Sequence, residues 1–111
     1  MALLGSLFPG ANTTNPTTST VLVTTGNLNA GYYMFYGVFA CSVAAGFNYE
    51  ILDAADSVVQ TVVIRTPAAS TVTVYLGYIP IGTNYEVRVR PLANITGQAS
   101  ASIVASVGAI A

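Results

Sequence analysis

Lysine, histidine and tryptophan are absent from this chain, and cysteine occurs once, at Cys41. Without histidine there is no imidazole to act as general base, and one thiol with no histidine cannot make a transition-metal site. A lone cysteine also excludes an internally stapled, disulfide-rich scaffold. Ionised side chains are nearly as scarce: Arg65, Arg88 and Arg90 stand against Glu50, Asp53, Asp56 and Glu86, for a formal net charge of -1, and none precedes Glu50. Three arginines partly matched by carboxylates do not supply the basic field that a phosphate backbone demands, so no nucleic-acid partner is expected. Charged residues make up 6 % of the chain, far below the ~25–35 % of an ordinary soluble surface. Much of the surface is therefore expected to lie against other protein.

Long apolar runs are also missing. The longest hazard, Gly31 to Phe47, is uncharged, but it falls short of the ~20 residues of a spanning helix. No basic residue flanks it, and its aromatics fill the first half instead of both ends. No membrane span is expected. The start, Met-Ala-Leu-Leu-Gly-Ser-Leu-Phe-Pro-Gly, has no basic leader and too short an apolar core for a signal peptide. The sequons Asn12-Thr-Thr and Asn94-Ile-Thr are accordingly read as chance matches.

What the chain does have is β-branched, aromatic and hydroxyl residues. Its 111 residues suffice for one small domain, and turn signals punctuate it at short intervals. Residues 1–18 read as an extended N-terminal arm, with apolar Leu3, Leu4, Leu7 and Phe8 at the tip of a Pro/Gly/Asn/Thr spacer. A leash ending in hydrophobes suits an arm whose tip docks on another subunit. Residues 19–111 read as the folded domain. Ser19–Thr25 alternates around Val21 and Val23. Gly31–Ala44 is a long strand with Tyr33, Phe35 and Phe39 on one face and Tyr32, Tyr36 and Val38 on the other, so both faces need cover. One cover is expected to be an opposing sheet, and the other a partner subunit.

Phe47–Leu52 alternates Phe47, Tyr49 and Ile51 against Asn48 and Glu50. Asp53 to Ser57 turns the chain, and Val58–Thr66 returns. Thr71–Tyr78 alternates until Pro80. Tyr85–Arg90 points Tyr85, Val87 and Val89 inward and Glu86, Arg88 and Arg90 outward. The last strand, about 98–107, has small residues (Ala99, Ala101, Val104, Ser106) suited to close packing against another chain. Seven strands without an amphipathic helix predict an all-β fold, an antiparallel β-sandwich of jelly-roll or Greek-key type, with the strand order left open.

Few constellations carry chemistry. Cys41 sits mid-strand among aromatics and reads as buried and inert. Glu50, Asp53 and Asp56 cluster around one turn, where caps for the backbone are a better reading than a catalytic pair or a calcium site. No catalytic residue, metal site or cofactor is expected, and none of the ten glycines falls in a phosphate-cradling pattern. Arg88 and Arg90 share a strand face and are expected to pair with carboxylates across a sheet or a subunit boundary. Tyr32 and Tyr36 are read as interface. With Tyr33, Tyr75 and Tyr78 they also leave open a sugar-binding platform.

Three stretches, Tyr49-Glu-Ile-Leu-Asp-Ala-Ala-Asp-Ser-Val-Val-Gln60, Ile81-Gly-Thr-Asn-Tyr-Glu-Val-Arg-Val-Arg90 and Thr96-Gly-Gln-Ala-Ser-Ala-Ser-Ile103, resemble small structural proteins of tailed-bacteriophage heads, the decoration (cement) proteins and related jelly-roll virion components. The resemblance covers about half the chain. It implies a non-enzymatic homo-oligomer, usually a trimer, bound to the major capsid protein on the virion surface. A filament or surface-layer subunit that adds a strand to its neighbour, and a carbohydrate-binding sandwich module, stand as alternatives.

Overall fold

The computed structural model describes the backbone of residues 3–108 and the side chains of residues 6–106. Nine strands occur among them: β1 (Leu3–Phe8), β2 (Thr13–Thr14), β3 (Val23–Thr24), β4 (Gly31–Cys41), β5 (Ala45–Leu52), β6 (Val58–Thr66), β7 (Ser70–Ile81), β8 (Glu86–Pro91) and β9 (Gln98–Gly108). They form two antiparallel sheets. Sheet A runs β1-β9-β4-β7, with β2 also on β9, and sheet B runs β3-β8-β5-β6. The pairing is nested: β1 and β2 with β9, β3 with β8, β4 with β7, β5 with β6. Such nesting is a long hairpin rolled up so that successive strand pairs alternate between sheets, which is the jelly-roll version of the expected sandwich.

The alternation of apolar and polar residues carries over into the core. Phe35, Phe39, Phe47, Val87, Val89 and Ile103 are fully enclosed between the sheets. Phe39 packs on Phe47 with ring centroids 5.4 Å apart and meets Tyr49 edge-on at 6.2 Å. These rings need small neighbours. A Cβ on Gly37 would lie 2.6 Å from the Phe39 ring and 3.3 Å from that of Tyr49, so glycine leaves the space that the Phe39 ring occupies. Ala99, Ala101 and Ala105 do the same from β9 and are buried in the chain's own core. The expectation that Ala99 and Ala101 pack on another chain is therefore corrected: β9 is an interior strand of sheet A, and its odd-numbered positions face the aromatics.

Element ends differ from the sequence reading for local reasons. The long strand stops at Cys41, and Ser42–Ala44 carries the chain across to sheet B. Ser19–Thr25 yields only two ladder residues. The Thr20 hydroxyl accepts from the Thr17 amide, and the Thr20 amide donates to the Thr17 carbonyl, a local turn that competes with strand pairing. β7 continues through Pro80, opposite Tyr32, because it is an edge strand and needs no donor on its open side. An extra residue at Leu76, beside Gly77 at φ 74°, shifts its register against β4. The bulge moves the inward positions from Val72 and Val74 to Ile79 and Ile81.

The segment expected as an arm lies along β9 of the same chain. Leu3–Phe8 pairs with Ile103–Gly108, and Thr13–Thr14 pairs with Gln98–Ala99. Asn15 then exchanges bonds with Gly97: its amide donates to the Gly97 carbonyl, and its side-chain oxygen accepts from the Gly97 amide. Pro16 is fully buried, and its carbonyl accepts from the Ile95 amide. No break in hydrogen bonding thus marks residue 18 as a boundary.

Candidate interaction surfaces

The outer faces of the two sheets differ in chemistry. All seven charged side chains lie on β5, β6, β8 or the turn joining β5 to β6, and no strand of sheet A carries one. Across sheet A the register lines up Leu7, Val104, Tyr36 and Tyr75, one residue from each of its four main strands. Tyr36 and Tyr75 stack with centroids 5.0 Å apart. The neighbouring row holds Ser106, Met34 and Tyr78, and Tyr32 faces Pro80 beyond it. Leu7, Tyr32, Tyr75 and Tyr78 are each more than half exposed. Toward the other end the face turns to hydroxyls, with Ser102, Val38 and Thr73 in one row and Ser100, Ala40 and Thr71 in the next. The result is an uncharged face, aromatic at one end and Ser/Thr-rich at the other.

Sheet B carries the charge. Glu50 and Arg88 are directly opposed on β5 and β8, with Arg90 on the diagonal. Arg88 Nε donates to Glu50 Oε1 at 3.0 Å; Arg90 Nε donates to the same oxygen at 2.6 Å and its Nη2 to Oε2 at 2.8 Å. The two guanidiniums cover the carboxylate so well that the Glu50 side chain is only 5 % exposed. Burial pushes its carboxyl up, but the bonds from Arg90 and Arg88 outweigh that and hold it below its ordinary range. Beside this triad, the Thr24 hydroxyl donates to Glu86.

The sequence-predicted site residues therefore divide among separate places. Tyr32, Tyr36 and Leu7 share the outer face of sheet A, Phe8 turns inward against the core, and the side chains of Leu3 and Leu4 lie outside the described residues. Arg88 and Arg90 sit on the opposite side of the sandwich, where the partner they find is Glu50 of the same chain. Asp53 caps its own turn, as its position suggests: its Oδ1 accepts from the amides of Ala55 and Ser57. Cys41 is buried.

Concave features offer little for chemistry. A cleft of about 580 Å³ lies between the 43–46 crossover and the 92–96 loop, and Arg65 is the one ionisable side chain among the described residues that line it. Sequence reasoning missed the burial of Glu50. Its only signal was the shared face of Arg88 and Arg90, which becomes informative once β5 is known to adjoin β8. No protein-family model matches this chain, and no curated protein matches its sequence.

Proposed function

We propose that the chain is a structural subunit of a virion, a capsid decoration protein that binds the head shell as a closed homo-oligomer, with the trimer as the leading form. The observation that carries this reading is the segregation of charge: one broad face of the sandwich bears exposed Leu7, Tyr32, Tyr75 and Tyr78 and no ionised group. Monomeric soluble proteins rarely expose contiguous apolar patches of that kind, and such patches mark interaction surfaces. The jelly-roll order supports the reading by fold analogy, since the architecture recurs in viral shells as well as in lectins. The charged face of sheet B, internally neutralised around Glu50, suits the side left in water. The subunit is read as non-enzymatic, on the same charge-poor composition.

The carbohydrate-binding alternative is weakened because the exposed tyrosines have leucine, methionine, valine, proline and serine beside them, while the amide on that face, Gln98, lies at the far Ser/Thr-rich end and is bonded to Asn12. Light scattering coupled to size exclusion tests the proposal. The untagged chain is expected as a discrete assembly of a multiple of three chains, and Leu7→Lys with Tyr75→Lys is expected to lower its mass while circular dichroism stays unchanged. A wild-type monomer at micromolar concentration overturns the reading. Polymer without a defined size moves the filament alternative ahead.

A further inference from the structure

Each sheet of a sandwich has two edges, and an edge strand left open presents unpaired amides and carbonyls to any strand that meets it. Three of the four edges here carry a protective feature. The β1/β2 edge of sheet A is interrupted between residues 8 and 13, at Pro9 and Gly10. The β7 edge has Pro80 within the strand and the Leu76–Gly77 bulge. The β3 edge of sheet B has two residues of strand. β6 differs from all of them. It has nine residues with no proline, glycine or lysine, and its one irregularity is confined to its start, between the Leu52–Val58 and Ile51–Gln60 pairs. From Gln60 to Thr66 its inner side is paired residue by residue with β5, while no strand among the described residues lies on its outer side. Three of the chain's exposed large hydrophobics, Val58, Val59 and Val63, lie on this one strand.

We propose that β6 is a self-pairing edge, and that its occupant is β6 of a second copy, running antiparallel about a two-fold axis at Val63. The regular run from Gln60 to Thr66 is symmetric about that residue. Val63 then opposes its own counterpart, Val62 opposes Ile64, and Thr61 opposes Arg65. The partly buried Val62 and the buried Ile64 face the core side, so their pairing extends the apolar interior across the junction. Arg65 is the only charge on the strand, and the two-fold places the two copies of it at opposite ends, so no like charges meet. Sheet B becomes an eight-stranded sheet shared by two chains. An isologous contact of this kind closes on itself. Combined with a three-fold contact on sheet A, it links neighbouring trimers across two-fold positions of a shell.

This inference uses a surface separate from the face of sheet A, and the two fail separately. Val63→Cys is expected to give a disulfide-linked pair of chains under oxidised glutathione, because directly opposed residues of an antiparallel pair bring their Cα atoms within disulfide reach. Ala54→Cys, exposed in the β5–β6 turn, is expected to give none. Val63→Lys, which sets two ammonium groups against each other, is expected to reduce the wild-type assembly measured at high micromolar concentration to the oligomer held by sheet A alone. The sheet A variant Leu7→Lys with Tyr75→Lys is expected to leave the cross-linked pair intact. An unchanged mass for Val63→Lys, or no cross-linked pair from Val63→Cys, overturns the proposal and leaves the edge to a strand from a different protein.

Discussion

Replacing Glu50 by glutamine removes one negative charge from between two guanidiniums and turns an acceptor oxygen into an amide donor that faces Arg88 and Arg90. Three charge-assisted hydrogen bonds end on this carboxylate, at 3.0, 2.6 and 2.8 Å. Breaking a fully buried ion pair by deleting one partner costs about 3–5 kcal/mol. The full figure does not apply, because the Arg88 and Arg90 side chains keep 23 % and 28 % of their surface and can turn toward water. The expected loss for Glu50→Gln is therefore about 2–3 kcal/mol, with roughly 6–15 °C off the melting temperature of a domain this size. Arg88→Gln is expected to cost less, about 1 kcal/mol, because Arg90 still makes two bonds to the carboxylate. Urea unfolding at pH 7, with m-values compared, measures both. A loss under about 0.5 kcal/mol for Glu50→Gln refutes the argument, since that is the range of inconsequential surface substitutions.

The same variant isolates a pH effect. Because the native Glu50 carboxyl is held below its ordinary range, the unfolded chain takes up this proton at a higher pH than the native one. The stability contributed by Glu50 is present in full above the unfolded carboxyl range and is lost as pH falls through the depressed native value. The gap between wild type and Glu50→Gln is expected to narrow in that acid window, and a constant gap would contradict the assignment.

Other consequences can be checked on the same footing. The Tyr49 hydroxyl is buried without a hydrogen-bond partner, and burial raises its pKa; Tyr49→Phe is therefore expected to be neutral or stabilising by up to about 1 kcal/mol. It should also lessen the fall in stability above about pH 10, where tyrosine in the unfolded chain ionises. A loss greater than 1 kcal/mol in urea unfolding would show that the hydroxyl has a partner after all. Gly37→Ala drives a methyl group into the Phe39 and Tyr49 rings and is expected to destabilise by about 1–3 kcal/mol, read as a lower urea midpoint with m unchanged. Deleting residues 1–8 is expected to leave a folded but weaker domain with faster hydrogen exchange along β9. Deleting residues 1–18 also removes buried Pro16 and the Asn15–Gly97 exchange, and the product is expected to lose its cooperative thermal transition.

Where alternation is strict, inward and outward residues were legible without the structure. Tyr33, Phe35 and Phe39 on β4, Val87 and Val89 on β8, and Asp53 in its turn fall where their spacing puts them. A two-residue period is a property of one strand's backbone and needs no knowledge of the neighbours. The readings that shifted were those that depend on a neighbour. Ala99 and Ala101 look like contact residues until β9 is placed opposite the aromatic cluster. Residues 1–18 look like an arm for another subunit until β9 of the same chain is seen to offer its edge. Pro80 looks like a strand end until β7 is found at the sheet's rim.

Composition and local patterning were enough to establish a charge-poor all-β domain, the long strands between Gly31 and Val107, and which of those strands bear the few charges. Tertiary structure alone decided that the charged strands β5, β6 and β8 share one sheet while the uncharged β1, β2, β4, β7 and β9 make up the other. It also decided that Glu50 lies between two arginines and that β6 is left at an open edge. Each strand's pattern is local, whereas the pairing of strands tens of residues apart is set by how the rolled hairpin closes around a common core, and no single strand carries that information.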